Sequence, residues 1–89
     1  MADAREELVI VNKLGMHARP AAALVQAVLP FQSSVLLQAD GQSVNAKSIM
    51  GLLTLAAAQG SRVTVICSGP DAGAALAAVR QLVAEGFGE

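Results

Sequence analysis

The sequence holds one histidine, His17, and its neighbours are of the kinds that phosphoryl chemistry needs. It stands in Leu14-Gly15-Met16-His17-Ala18-Arg19-Pro20-Ala21-Ala22. An apolar, β-branched run, Leu8-Val9-Ile10-Val11, comes before it, and an alanine-rich run, Ala21 to Leu29, follows. The first run reads as strand and the second as helix, so the imidazole is expected at a helix N-terminus. Gly15 permits the sharp turn between them. Pro20 has no N–H and a nearly helical φ, so it fits a first helical turn. The other free N–H groups of that turn, with the positive end of the helix dipole, suit an anion. Arg19 adds a guanidinium fork. An imidazole that can attack phosphorus, a cation and open backbone donors together describe a site that could hold a phosphoryl group on nitrogen. A lone histidine is more often structural or simply solvated, and Arg19 alone reads as a solvated helix-start residue. A structural histidine, however, needs none of these neighbours.

A second stretch, Asn45-Ala46-Lys47-Ser48-Ile49-Met50-Gly51-Leu52-Leu53, places a serine where a helix should begin. As an N-cap its hydroxyl satisfies a free N–H, worth about 1 kcal/mol. As a modified residue it would set a phosphate dianion on a helix N-terminus, where such a charge is tolerated. The following helix is apolar on more than one side: Ile49, Leu52, Leu53 and Ala56 on one, Met50 and Gly51 nearer another. One set should be exposed, and an exposed apolar patch beside positive charge marks a protein-docking surface.

The elements that must position these residues follow from periodicity and turn chemistry. Strand one is expected over Glu7–Asn12, and its nearly continuous apolar character suggests a central strand. Helix one runs from Ala18 to Leu29, with Ala21, Leu24, Val25 and Val28 on its inner face, and Pro30 ends it. Strand two spans Ser34–Gln38, Asp40-Gly41 is a two-residue hairpin signal, and strand three spans Gln42–Asn45. Helix two starts at Ser48, strand four covers Arg62–Cys67, and Asp71 is expected to cap helix three, Ala72–Glu85. Leu76, Val79, Leu82 and Val83 supply the buried face of that helix, and Phe87 closes the end of the core. The order β-α-β-β-α-β-α indicates an α+β fold of two layers, one sheet face covered by helices and the other open to water.

Composition narrows the alternatives. Eighty-nine residues, 54% of them apolar, make one domain (1–89) with a packed core. Cys67 is the single cysteine. It excludes an internal disulfide, and one Cys with one His cannot build a metal cluster, so Cys67 reads as a small core residue. No apolar run approaches the roughly 18 residues needed to span a bilayer, and residues 1–7 lack the apolar stretch of a secretory signal, so a cytoplasmic protein is expected. A net charge of −1 and the absence of Tyr and Trp argue against nucleic-acid binding. Charge is uneven along the chain. Residues 1–7 and 71–89 are each net −2, while residues 8–70, which hold both motifs, are net +3. An acidic or phosphorylated partner would be steered to that middle segment. An autonomous hydrolase lacks its parts: there is no metal set, nucleophile triad or Gly-rich phosphate cradle.

Gly15-Met16-His17-Ala18-Arg19-Pro20-Ala21-Ala22 resembles the active-site signature of the HPr family, the phosphocarriers of the bacterial phosphoenolpyruvate-dependent sugar phosphotransferase system. Asn45 to Leu53 resembles that family's regulatory serine segment, and the likeness runs from about Glu7 to the end. The resemblance implies an open-faced two-layer β-sandwich: a four-stranded antiparallel sheet in the order 1-4-2-3, covered on one face by three helices. It implies a covalent carrier, not an enzyme, with no cofactor and no metal. His17 would be the phosphoacceptor through Nδ1 (pros-phosphohistidine), Arg19 the charge-compensating cation, and Ser48 the target of an HPr kinase/phosphorylase. Met16, Ala18, Lys47, Ile49, Met50 and Leu53 would meet enzyme I and the IIA domains of sugar permeases, and a transcription regulator is a further implied partner. A monomer is expected. Two alternatives stay within the family: a nitrogen-regulatory paralogue with the same chemistry, and a regulatory binding module. One departure is clear: Gln26 and Leu29 stand where many members carry lysines on helix one.

Overall fold

The structure, a computed structural model, describes residues 2–55 and 57–89. Its elements are β1 (Ala2–Val9), α1 (Ala18–Val28), β2 (Ser34–Ala39), β3 (Gln42–Asn45), α2 (Ile49–Leu55), β4 (Arg62–Gly69) and α3 (Ala72–Ala84), followed by a 3₁₀ turn at Gly86–Gly88. The strands form an antiparallel sheet in the order β1-β4-β2-β3, with three helices, as expected. Alternation explains the two faces. Val35 and Leu37 of β2 and Val63, Val65 and Cys67 of β4 are buried toward the helices. On the other face Arg5, Ile66, Leu36 and Asn45 lie in one row across the four strands. Cys67 is a core residue; burial pushes its thiol up, and the Asp71 carboxylate adds to this.

Three expectations change. β1 begins earlier than the apolar run and lies at the sheet edge, not its centre, pairing with β4 from Ala2 to Val9. Its inner face carries Ala4, Glu6 and Leu8. Ala4 and Leu8 pack on the core, and Glu6 is ion-paired with Arg80 of α3 at 2.7 Å. Charge on both faces hid the part of this strand before Glu7 from a hydropathy reading. Secondly, Asp71 flanks α3 without capping it. Its carboxylate accepts the N–H groups of Gln32 (2.9 Å) and Ser33 (2.8 Å) and the Ser33 hydroxyl. The Ser33 hydroxyl in turn accepts the Asp71 N–H at 3.2 Å. The residue therefore pins the α1–β2 connection to the start of α3. Thirdly, the Gly86–Gly88 turn was not anticipated, although Phe87 within it is buried as expected.

The β2–β3 turn follows its sequence signal. Asp40 and Gly41 both have positive φ, 51° and 78°, which is the primed turn that suits the twist of a hairpin. In α1, Ala21, Leu24, Val25 and Val28 are all buried, as the spacing requires.

Candidate functional site

The site begins with a tightly held loop. Gly15 has φ +66°, and a Cβ built there would lie 2.3 Å from the Ala57 carbonyl oxygen, so no other residue fits without a shift. That same carbonyl accepts the Met16 N–H at 2.7 Å. The His17 N–H then turns back to the Gly15 carbonyl at 3.0 Å. His17 is the N-cap residue of α1, with extended backbone, and its carbonyl accepts the Ala21 N–H at 3.0 Å. Its side chain makes no capping bond and is one-third exposed. Pro20 is buried in the first turn and contributes no donor. Among the described residues the N–H groups of Ala18 and Arg19 have no partner. The helix thus starts with open donors beside the histidine, which is the arrangement that attracts an anion.

The second feature is a carboxylate from the far end of the chain. Glu89 Oε2 lies 2.8 Å from His17 Nε2. Glu89 Oε1 accepts a hydrogen bond from Asn12 Nδ2 at 3.0 Å, and Asn12 Nδ2 also donates to the Gly15 carbonyl at 2.8 Å. The Asn12 amide, followed by His17 and the nearby Arg19 charge, holds the Glu89 carboxyl below its ordinary value. An ionised carboxylate only accepts, so Nε2 must carry the proton in this contact, and the neutral ring then has its lone pair on Nδ1. Neither Asn12 nor Glu89 was singled out from sequence. Asn12 stands three residues before Gly15 and could have been noticed; Glu89 is 72 residues from His17 and has no local signal. Its presence also corrects the charge map: the acidic end of the sequence folds onto the site that the segment charges had placed in a positive region.

The remaining expected residues separate. Arg19 and Ala18 are exposed beside His17. Met16, expected at the docking surface, is buried, because the bond of its N–H to Ala57 turns its side chain into the core. Ser48 accepts the Gly51 N–H on its hydroxyl at 3.1 Å, the N3 contact of a capping serine. Lys47 is half-buried, its ammonium donating to the Phe31 carbonyl at 2.7 Å. On α2 the exposed set is Ile49, Met50 and Leu53, while Leu52 and Leu55 are buried. The expected division of that helix is therefore redrawn: Ile49 and Leu53 side with Met50, not with Leu52. Ala56 lies outside the described residues. No described helix is long and apolar enough to cross a membrane.

A fold of this order with a histidine at the first helix N-terminus defines a class of phosphoryl carriers, and comparison with known proteins agrees. The family model for the PTS HPr component phosphorylation site matches residues 4–85. The chain is 47% identical over 83 residues to the phosphocarrier protein HPr of Xylella fastidiosa, covering 93% of each. It superposes on the crystal structure of HPr-C-His from Thermoanaerobacter tengcongensis with a TM-score of 0.93 and 41% identity, covering 97% of both chains. It also resembles Bacillus subtilis Crh, a catabolite repression protein whose crystal structure is a swapped dimer, with a TM-score of 0.76, 45% identity and coverage of 90% and 92%. The chain belongs to the HPr family of phosphotransferase-system phosphocarriers, which are not catalysts in the usual sense.

Proposed function

We propose that this chain is a phosphoryl relay between enzyme I and the IIA domains of sugar permeases, working in the cytoplasm as a single domain. The observation that carries the proposal is the engagement of His17 Nε2 by a carboxylate, on a residue that opens α1 beside unpartnered N–H groups. Nδ1 is thereby the nucleophile. Its lone pair forms the N–P bond while the donor's bond to phosphorus breaks, and the phosphoryl oxygens are met by Arg19 and the helix donors. In the second transfer the electron pair returns to Nδ1 as the IIA acceptor bonds phosphorus. No proton need leave Nε2 in either step. Ile49, Met50 and Leu53, with Ala18, form the apolar part of the docking surface, and Lys47 borders it.

Incubation with enzyme I and phosphoenolpyruvate should give one acid-labile phosphate by mass spectrometry, absent in His17→Ala. A protein that stays unmodified, or a phosphate retained in that variant, overturns the relay.

The likeness to Crh and the place of Ser48, half-exposed at the start of α2, favour a second role in regulation. Phosphorylation of Ser48 by an HPr kinase/phosphorylase would add negative charge beside the docking surface, repel acidic partners and create a face for a transcription regulator. Ser48→Ala should abolish labelling by that kinase and leave labelling of His17 intact. We take the working form to be a monomer; the swapped Crh dimer marks the alternative, and light scattering across a concentration series distinguishes them.

A further inference from the structure

We infer that Asn12, a residue outside the histidine signature, is a positioning residue for the relay: its amide joins Glu89 to the His17 loop and so fixes the ring with Nε2 protonated and Nδ1 free. The inference rests on the reading of His17 as phosphoacceptor. Four contacts form a closed circuit. Asn12 Nδ2 donates to the Gly15 carbonyl (2.8 Å), which also accepts the His17 N–H (3.0 Å). The same Nδ2 donates to Glu89 Oε1 (3.0 Å), whose other oxygen meets His17 Nε2 (2.8 Å). Asn12 therefore holds the histidine at two points, its backbone through Gly15 and its ring through Glu89.

The orientation of the amide is not ambiguous. Both partners are acceptors, so only the NH₂ end can face them. That leaves Oδ1 buried and without a partner among the described residues, on a side chain only 6% exposed. A buried, unpaired carbonyl oxygen costs free energy. An apolar side chain of the same size would pack there without that cost, so packing does not account for an asparagine; the two donated bonds do. The Asn12 bond is also the leading cause of the lowered Glu89 carboxyl, ahead of His17 itself. The effect on chemistry is the same one that a carboxylate has behind a metal-bound or catalytic histidine: it sets the tautomer and steadies the ring. When Nδ1 carries the phosphoryl group, the held carboxylate keeps the Nε2 proton in place, so the ring departs from phosphorus as neutral imidazole rather than as an anion.

The test uses ¹⁵N NMR of the unphosphorylated full chain, read on the resonances of the neutral ring, together with the rate of phosphoryl transfer from enzyme I. Wild type should be predominantly the Nε2–H tautomer. Asn12→Ala should lower that fraction and slow transfer by about tenfold, and in a Glu89→Gln background the same change should add little, because the two residues act in series. A folded Asn12→Ala protein with the wild-type tautomer ratio and rate overturns the inference, as does full additivity with Glu89→Gln. If Asn12→Ala does not fold, the isosteric Asn12→Asp and Glu89→Gln alone carry the same readout, and an unchanged tautomer ratio in both overturns it. Wild type that shows the Nε2–H tautomer but never accepts phosphate on His17 would refute the relay and leave the positioning result standing.

Discussion

Arg19 is exposed at the first turn of α1, close enough to Glu89 for its charge to be felt there. Because it is not built into the core, Arg19→Ala should leave the melting temperature unchanged and slow phosphoryl transfer severalfold; equal rates for the two proteins would remove its role. Gly15 is the opposite case. Any side chain there meets the Ala57 carbonyl and a left-handed φ at once. Gly15→Ala is expected to cost about 2 kcal/mol or more in denaturant unfolding, and to displace the loop that carries His17. At this scale the sequence was informative where partners are neighbours. His17, Arg19 and Pro20 share one turn, so their types and order suffice. The pairing of Asn12 with Glu89 was not legible, because what brings the two together is the path of α3 and the Gly86–Gly88 turn. Met16 was misplaced because it was grouped with the exposed Ala18, while the bond of its N–H to the Ala57 carbonyl turns it inward.

Between elements, the contact that the turn chemistry did not foretell is the Asp71 clamp on Gln32 and Ser33. Aspartate before a helix reads as a cap, but here a connection that follows α1 offers two N–H groups and a hydroxyl to the same carboxylate. The Ser33 hydroxyl, then the Gln32 N–H, holds the Asp71 carboxyl below its ordinary value. Folding therefore favours the ionised form. The stability gained is complete above the unfolded value near pH 4 and is lost as pH falls through the lower folded value. Asp71→Asn should flatten the acid limb of the melting-temperature profile below about pH 4; an unaltered limb would assign acid sensitivity elsewhere. On α2, Ser48 does cap, and Ser48→Ala should cost about 1 kcal/mol by denaturant unfolding. Most elements were legible from periodicity and from the Asp40-Gly41 and Pro30 punctuation. The first part of β1 was not, since a segment that pairs Glu6 with Arg80 and alternates charge on its outer face gives no hydropathy signal.

For the molecule as a whole, α2 presents Ile49, Met50 and Leu53 to solvent. Met50 is 71% exposed, too much for a residue that serves the core. Met50→Asp should weaken binding of enzyme I at unchanged stability, read by calorimetric titration and thermal melting; unaltered affinity would move the docking site off α2. Gln26 and Leu29, both exposed on or just after α1, replace charges that lysine-rich relatives would offer, and Glu89 brings an anion beside His17. Partner affinity should therefore fall less steeply with salt than for such a relative. The strand order is the part that residues alone did not dictate; it came with the family likeness, because pairing between distant strands depends on which faces the helices cover.

The edge position of β1 also bears on how the protein behaves when crowded. A peripheral ribbon of eight residues presents backbone groups that could template lateral growth into fibrils. Asp3, Arg5 and Glu7 alternate along its open side and make such stacking unfavourable. Replacing Arg5 and Glu7 with valine should leave the relay intact and shorten the time to precipitation at high concentration.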